Sequence, residues 1–133
     1  MSYITPVMDR DAANLAAKNS KAYFNIADWN RIYANVLWVE YELSQVFGLT
    51  FVFTSLPTPT KSDIPTIVNF NYLLYMIKTM RAALVGAGVG AVIAPVTTQT
   101  WAAGADKQAP NYVDVNQWES VIDQMHYFAN HYP

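Results

Sequence analysis

The residues of this chain best suited by type to do chemistry stand near its C-terminal end: Glu119, Asp123 and His126, in the run QWESVIDQMHYF. At helical spacing Glu119 and Asp123 lie one turn apart on one face, and His126 continues the stripe. Paired carboxylates across a cleft are what glycoside hydrolysis requires, about 5 to 10 Å apart. Two carboxylates and an imidazole are also part of a ligand set for a divalent cation. Neither set is complete, because no second cluster supplies an opposite wall or further ligands. Glu40 and Glu42 point to different sides of their own helix. The expectation is a solvent-facing polar stripe at Glu119 and Asp123, no catalytic residue, no metal and no cofactor.

Other chemistries fail on inventory. There is no Cys, and no Ser sits in a Gly-flanked elbow that would expose a nucleophile. GAGVG at 86–90 lacks the Gly-Lys-Ser/Thr of a phosphate loop and follows a helix rather than a strand, so it reads as a flexible turn. His131 near the end of its helix is explained by the favourable field there for a cation. The one ligand-like constellation is the loop bearing Trp101, Asp106 and Tyr112, a ring with polar neighbours suited to stacking on a sugar or a protein partner. The simpler reading has Trp101 capping the end of the core.

Composition narrows the remaining classes. The chain has 133 residues, with 8 Lys and Arg against 10 Asp and Glu. That near-balance gives no case for nucleic acid or an anionic membrane as partner. Only 14% of residues are charged while 53% are hydrophobic; an ordinary soluble domain carries about 25% charged residues. A small chain has much surface for its volume, so one this poor in charge is expected to cover part of that surface with other subunits. The first residues, MSYITPVMDRD, show no basic region followed by an apolar run, and no signal peptide is expected. Residues 82–96 are too short and too broken by Gly and Pro to span a bilayer, so no membrane insertion is expected.

The elements that position these residues are written in a threefold repeat. DWNRIYANV begins at residue 28, NFNYLLYMI at 69 and DVNQWESVI at 114. Counting Asp28, Asn69 and Asp114 as zero, position +1 holds Trp29, Phe70 and Val115, and +4 holds Ile32, Leu73 and Trp118. Val36, Ile77 and Ile122 follow at +8, then Val39, Met80 and Met125 at +11, and Leu43, Leu84 and Ala129 at +15. These positions share one face of an α-helix. Asp28, Asn69 and Asp114 are expected as N-caps, accepting from the free backbone N–H groups of a first turn. Asn30, Asn71 and Asn116 at +2 are expected to pin the segment that leads into each helix.

The pattern predicts a mainly α fold: a small bundle of three related helix units, about 1–48, 49–90 and 91–133, in a single domain. The helices are expected over 28–47, 69–85 and 114–131, with Gly48 as a stop and a further short helix over 11–19. The long connectors, rich in Thr and Pro, are expected to lie extended over the helices or over neighbours, with a short strand at 49–53. The second helix is apolar nearly all round, with only Lys78 and Arg81 charged. Such a helix must be covered nearly all round, either by the connectors or by another copy, and Tyr72, Leu74, Tyr75 and Met76 are expected to form an interface.

The runs ITPVMDRDAANLAAKNSKAYFNIADWNRIYANV, SDIPTIVNFNYLLYMIKTMRAAL and NYVDVNQWE together resemble a module common in phages and prophages of Gram-positive bacteria. Thr5, Pro6, Asp9 and Arg10 match its lead-in. Phe24, Asn25, Asp28, Asn30, Arg31, Ile32 and Asn35 match its first helix start, and Trp101, Gly104 and Asp106 the lead-in of its third unit. The second unit departs, with Tyr72 and Leu73 in place of Arg-Ile and Asn69 in place of the acid. The resemblance covers nearly the whole chain. It implies a virion structural protein of tail, baseplate, neck or head, assembled in the bacterial cytoplasm, whose partners are other virion proteins and copies of itself. A host-surface glycan bound at the Trp101 loop is the alternative.

Overall fold

A computed structural model of the chain describes residues 3–8, 26–59, 67–88, 93–98 and 112–131. The described residues form three helices: α1 (Ile26–Phe47), α2 (Ile67–Gly86) and α3 (Tyr112–His131). Each helix begins two residues before the position the repeat predicted as its cap, so Asp28, Asn69 and Asp114 are the third residue of their helices. The N-cap assignment is corrected accordingly. Asp28 and Asp114 still place negative charge in a first turn, where the helix dipole favours it. The repeat itself is in register, because all three helices start at the same point of it.

The repeated face is the core. Of the fifteen residues at the five apolar positions, all but Phe70 are buried, and Phe70 packs against the same cluster. Trp29 meets Phe70 edge-on with ring centroids 5.1 Å apart, and Phe70 lies 6.5 Å from Trp118. The three helix starts therefore gather at one end of the molecule. Near that end Arg31 of α1 reaches Glu119 of α3, and at the other Glu42 reaches His126 and Asn130. α1 and α3 thus run in parallel.

Parallel neighbours explain the long connectors. A helix of 20 residues rises about 30 Å, and the chain must cover that distance again before the next helix can begin at the same end. The first connector does so along α1 and α2. Phe53 meets Tyr75 edge-on, Thr54 N donates to the Tyr72 hydroxyl, and Leu56 N donates to the Tyr33 hydroxyl. Half-buried Leu49, Phe51 and Phe53 alternate with exposed Thr50, Val52 and Thr54, the period of extended backbone. The predicted strand at 49–53 does not form: among the described residues there is no strand, since this segment lies against helices and has no second strand to pair with. The second connector returns along α2 and α3. Arg81 donates through Nε and Nη2 to the Ile93 carbonyl, and Lys78 Nζ donates to the Thr98 carbonyl at 2.8 Å.

α1 stops where predicted. Gly48 takes φ 69°, its N–H bonds the Ser44 carbonyl, and Leu49 N bonds the Leu43 carbonyl, the left-handed cap that glycine adopts without a Cβ penalty. Gly86 is the last residue of α2 and Gly88, at φ 85°, closes the following turn. The helix expected over 11–19 lies outside the described residues. None of the described helices is long and apolar enough to cross a membrane.

Candidate functional site

The densest polar constellation among the described residues lies between α1 and α3, around the extended segment 3–8. Asn35, buried on α1, holds Ile4 by both main-chain groups: Ile4 N donates to Oδ1 and Nδ2 donates to Ile4 O, each at 2.8 Å. An amide side chain offers a donor and an acceptor side by side, so Asn35 reads an extended backbone as a neighbouring strand would. Val7 N donates to Glu119 Oε1 at 3.1 Å. The Tyr3 ring stacks on His126 with centroids 3.7 Å apart and planes 8° from parallel, and its hydroxyl donates to Asp123 Oδ1 at 2.9 Å. Burial first, and then the carboxylate accepting its proton, push the Tyr3 phenol well above its ordinary range.

The charges beneath this segment are paired. Arg31 forks onto Glu119, with Nε to Oε1 at 2.7 Å and Nη2 to Oε2 at 2.9 Å, and Nη2 also reaches Asp28 Oδ1 at 2.7 Å. Glu119 is 2% exposed, so its charge depends on this bidentate partner. The Glu119 hydrogen bond raises the Arg31 guanidinium further above its usual range, against the opposing effect of burial. At the far end His126 Nδ1 donates to Glu42 Oε1 at 2.6 Å, and Asn130 Nδ2 donates to the other Glu42 oxygen.

The predicted solvent-facing stripe of Glu119 and Asp123 is overturned. Glu119 is buried and holds Arg31 and Val7, while Asp123 accepts from Tyr3. The stripe faces the groove that the N-terminal segment fills, which helical periodicity cannot distinguish from water. The three candidate ligands are each turned to a different partner, and among the described residues no group of three or more His, Asp or Glu is placed to hold a metal ion. Glu40 is half-buried away from this groove, and burial raises its carboxyl above the usual range.

The predicted interface on α2 is corrected in part. Leu74 and Met76 are fully buried by the chain itself. Tyr72 is half-buried, with its hydroxyl accepting from Thr54 N. Of the four, Tyr75 alone stands largely open, at 53% exposure. The cover was expected from the connectors or from another copy, and Phe53, Thr54, Ile93 and Thr98 of the connectors meet this helix.

Of the predicted pinning residues, Asn30 is exposed while Asn71 and Asn116 are half-buried. The segments immediately before the three helices lie outside the described residues, as do Trp101 and Asp106. Tyr112 is the first residue of α3 rather than part of a loop. Asn35 holds the segment 3–8, and Arg81 and Lys78 hold 93–98. Asp114 joins them through Thr98, whose hydroxyl donates to Asp114 Oδ1 at 3.0 Å and accepts from Trp118 Nε1 at 2.8 Å.

The sequence carried a signal for this arrangement. Ile4-Thr5-Pro6-Val7 and Ile93-Ala94-Pro95-Val96 share the pattern Ile-x-Pro-Val. Both segments lie extended in a groove, the first between α3 and α1 and the second between α2 and α3. The first connector fills the groove between α1 and α2. Among the described residues, three helices and three extended segments alternate around the core. No family model matches the sequence, and neither a curated protein nor a solved structure is significantly similar to it.

Proposed function

We propose that this protein is a structural subunit of a bacteriophage particle, a component of tail, baseplate, neck or head that acts by assembling with other virion proteins. The observation that carries the reading is apolar surface left over after the chain has covered its own core. Val68 and Val113, at equivalent positions of α2 and α3, are 74% and 60% exposed at the end where the helices start, and Val52 on the first connector is 94% exposed. A low charge fraction leaves few charged groups to keep such a surface solvated. The resemblance of the three units to a phage module points the same way. The work of the protein is burial, with matched apolar patches excluding water between subunits.

The test is to raise antibody against the purified chain and probe particles isolated from an induced culture of the strain that carries its gene. Particle-bound signal that survives washing at about 1 M salt is expected, because apolar contacts are not screened as ion pairs are. A chain found wholly in the particle-free fraction overturns the reading. Retention on host cell walls that is abolished in Trp101→Ala would instead assign the protein to host-surface glycan binding.

A further inference from the structure

Three extended segments fill three grooves, but they are not tethered alike. Residues 49–56 run between α1 and α2 and are joined in sequence to both helices, and residues 93–98 are likewise joined to α2 and α3. Residues 3–8 fill the groove between α3 and α1 and precede α1, so sequence joins them directly to only one of the two helices they lie between. This is the one groove of the three where chain continuity does not fix which molecule supplies the filler.

The groove recognises that filler by features any copy would bring. Asn35 bonds both main-chain groups of Ile4, Glu119 accepts from Val7 N, and His126 and Asp123 take the ring and hydroxyl of Tyr3. The same interactions form whether the segment arrives from its own chain or from a neighbour.

We infer that the α3/α1 groove is a binding site for the extended N-terminal segment of a second copy of this chain, so that adjacent subunits exchange residues 3–8. Exchange of an identical element is a low-cost route to assembly, because the bonds that a segment gives up to its own groove are remade in the groove of its neighbour. The competition is one of concentration. A segment tethered to its own groove acts at an effective concentration on the order of mM, so exchange is minor in dilute solution and grows as copies are crowded side by side. The inference rests on the assembly role proposed above and names a partner for it, and its test is separate from that one.

The test uses the full chain with its own segment disabled. Ile4→Pro with Val7→Pro removes the N–H groups that donate to Asn35 and Glu119 and leaves the groove unaltered. A fluorescent peptide of sequence SYITPVMD is titrated against this variant and followed by anisotropy. Saturable binding is expected, weakened at least tenfold when Asn35→Ala is added, and absent for a peptide carrying the same two prolines. Wild type should bind the peptide at least tenfold more weakly than the proline variant, because its own segment competes. Mixing wild type with the proline variant at high concentration should yield a species of twice the 14.9 kDa chain mass. No saturable binding to a proline variant that keeps its helical circular dichroism overturns the inference, as does binding indifferent to Asn35→Ala. Should the proline variant lose its helices, hydrogen exchange of wild type in excess peptide decides: Ile4 and Val7 amides that stay protected overturn exchange. Failure here leaves the particle-association result untouched.

Discussion

Two buried tryptophans differ in one atom's surroundings, and that difference is testable. Trp118 Nε1 donates to Thr98, which donates onward to Asp114, whereas Trp29 Nε1 is buried with no hydrogen-bond partner among the described residues. An unsatisfied buried donor costs on the order of 1–3 kcal/mol, and a made bond contributes about 1 kcal/mol. Replacement by Phe removes the same atoms at both sites. Trp118→Phe is therefore expected to lower stability by about 1–2 kcal/mol more than Trp29→Phe in urea unfolding. The opposite order would mean that the Thr98 bridge contributes nothing. The Arg31–Glu119 fork gives a second case: Glu119→Gln leaves Arg31 without its bidentate partner and Val7 with a weaker acceptor, at an expected cost of about 3 kcal/mol. Arg31→Met combined with Glu119→Leu should recover only part of that loss, since it removes the buried pair but also takes Arg31 from Asp28, which is 6% exposed, and the Glu119 acceptor from Val7 N. At this scale the apolar positions were legible in the sequence, because a 3.6-residue period identifies a covered face. Glu119 and Asn35 were not, because a polar residue facing a polar groove has the same spacing as one facing water.

At the scale of elements, helix existence and register were legible from the threefold repeat, and the course of the connectors only in outline. Their length followed from a fact the spacing does not state: the helices start together, so every connector must return. Two predictions belong here. Gly48 takes φ 69° with open space where a Cβ would sit, so Gly48→Ala should cost only the backbone penalty of the left-handed region, about 1 kcal/mol. A much larger loss would mean that residues 49–56 shift when the stop is disturbed. Arg81 holds the second connector through the Ile93 carbonyl, a charge-assisted interaction worth about 1.5–3 kcal/mol. Arg81→Met keeps most of the apolar stem and removes the donors. Faster amide exchange confined to 93–98 is the expected result, and unchanged exchange there would show that buried Ile93 and Val96 hold the segment unaided.

At the scale of the whole molecule, the scarcity of charge first suggested surface hidden against other subunits, and a second helix covered either by connectors or by another copy. Leu74 and Met76 are covered from within, so the low charge fraction partly reflects a layered chain whose extended segments also face inward. What remains outside among the described residues is a set led by Val52, Val68, Val113, Tyr127, Tyr41 and Tyr75. If these are contact positions between copies, association and folding are linked, and stability must depend on protein concentration. For a dimer that unfolds to monomers, each tenfold rise in concentration adds about 1.4 kcal/mol to the stability of the assembly, enough to raise the thermal midpoint by a few °C. Scans from about 1 to 100 µM should show that rise in wild type. Val68→Lys with Val113→Lys should abolish it while leaving the dilute midpoint within about 0.5 kcal/mol of wild type, because both side chains already lie largely in water. A midpoint constant over the whole range would show that this surface does not bring copies together.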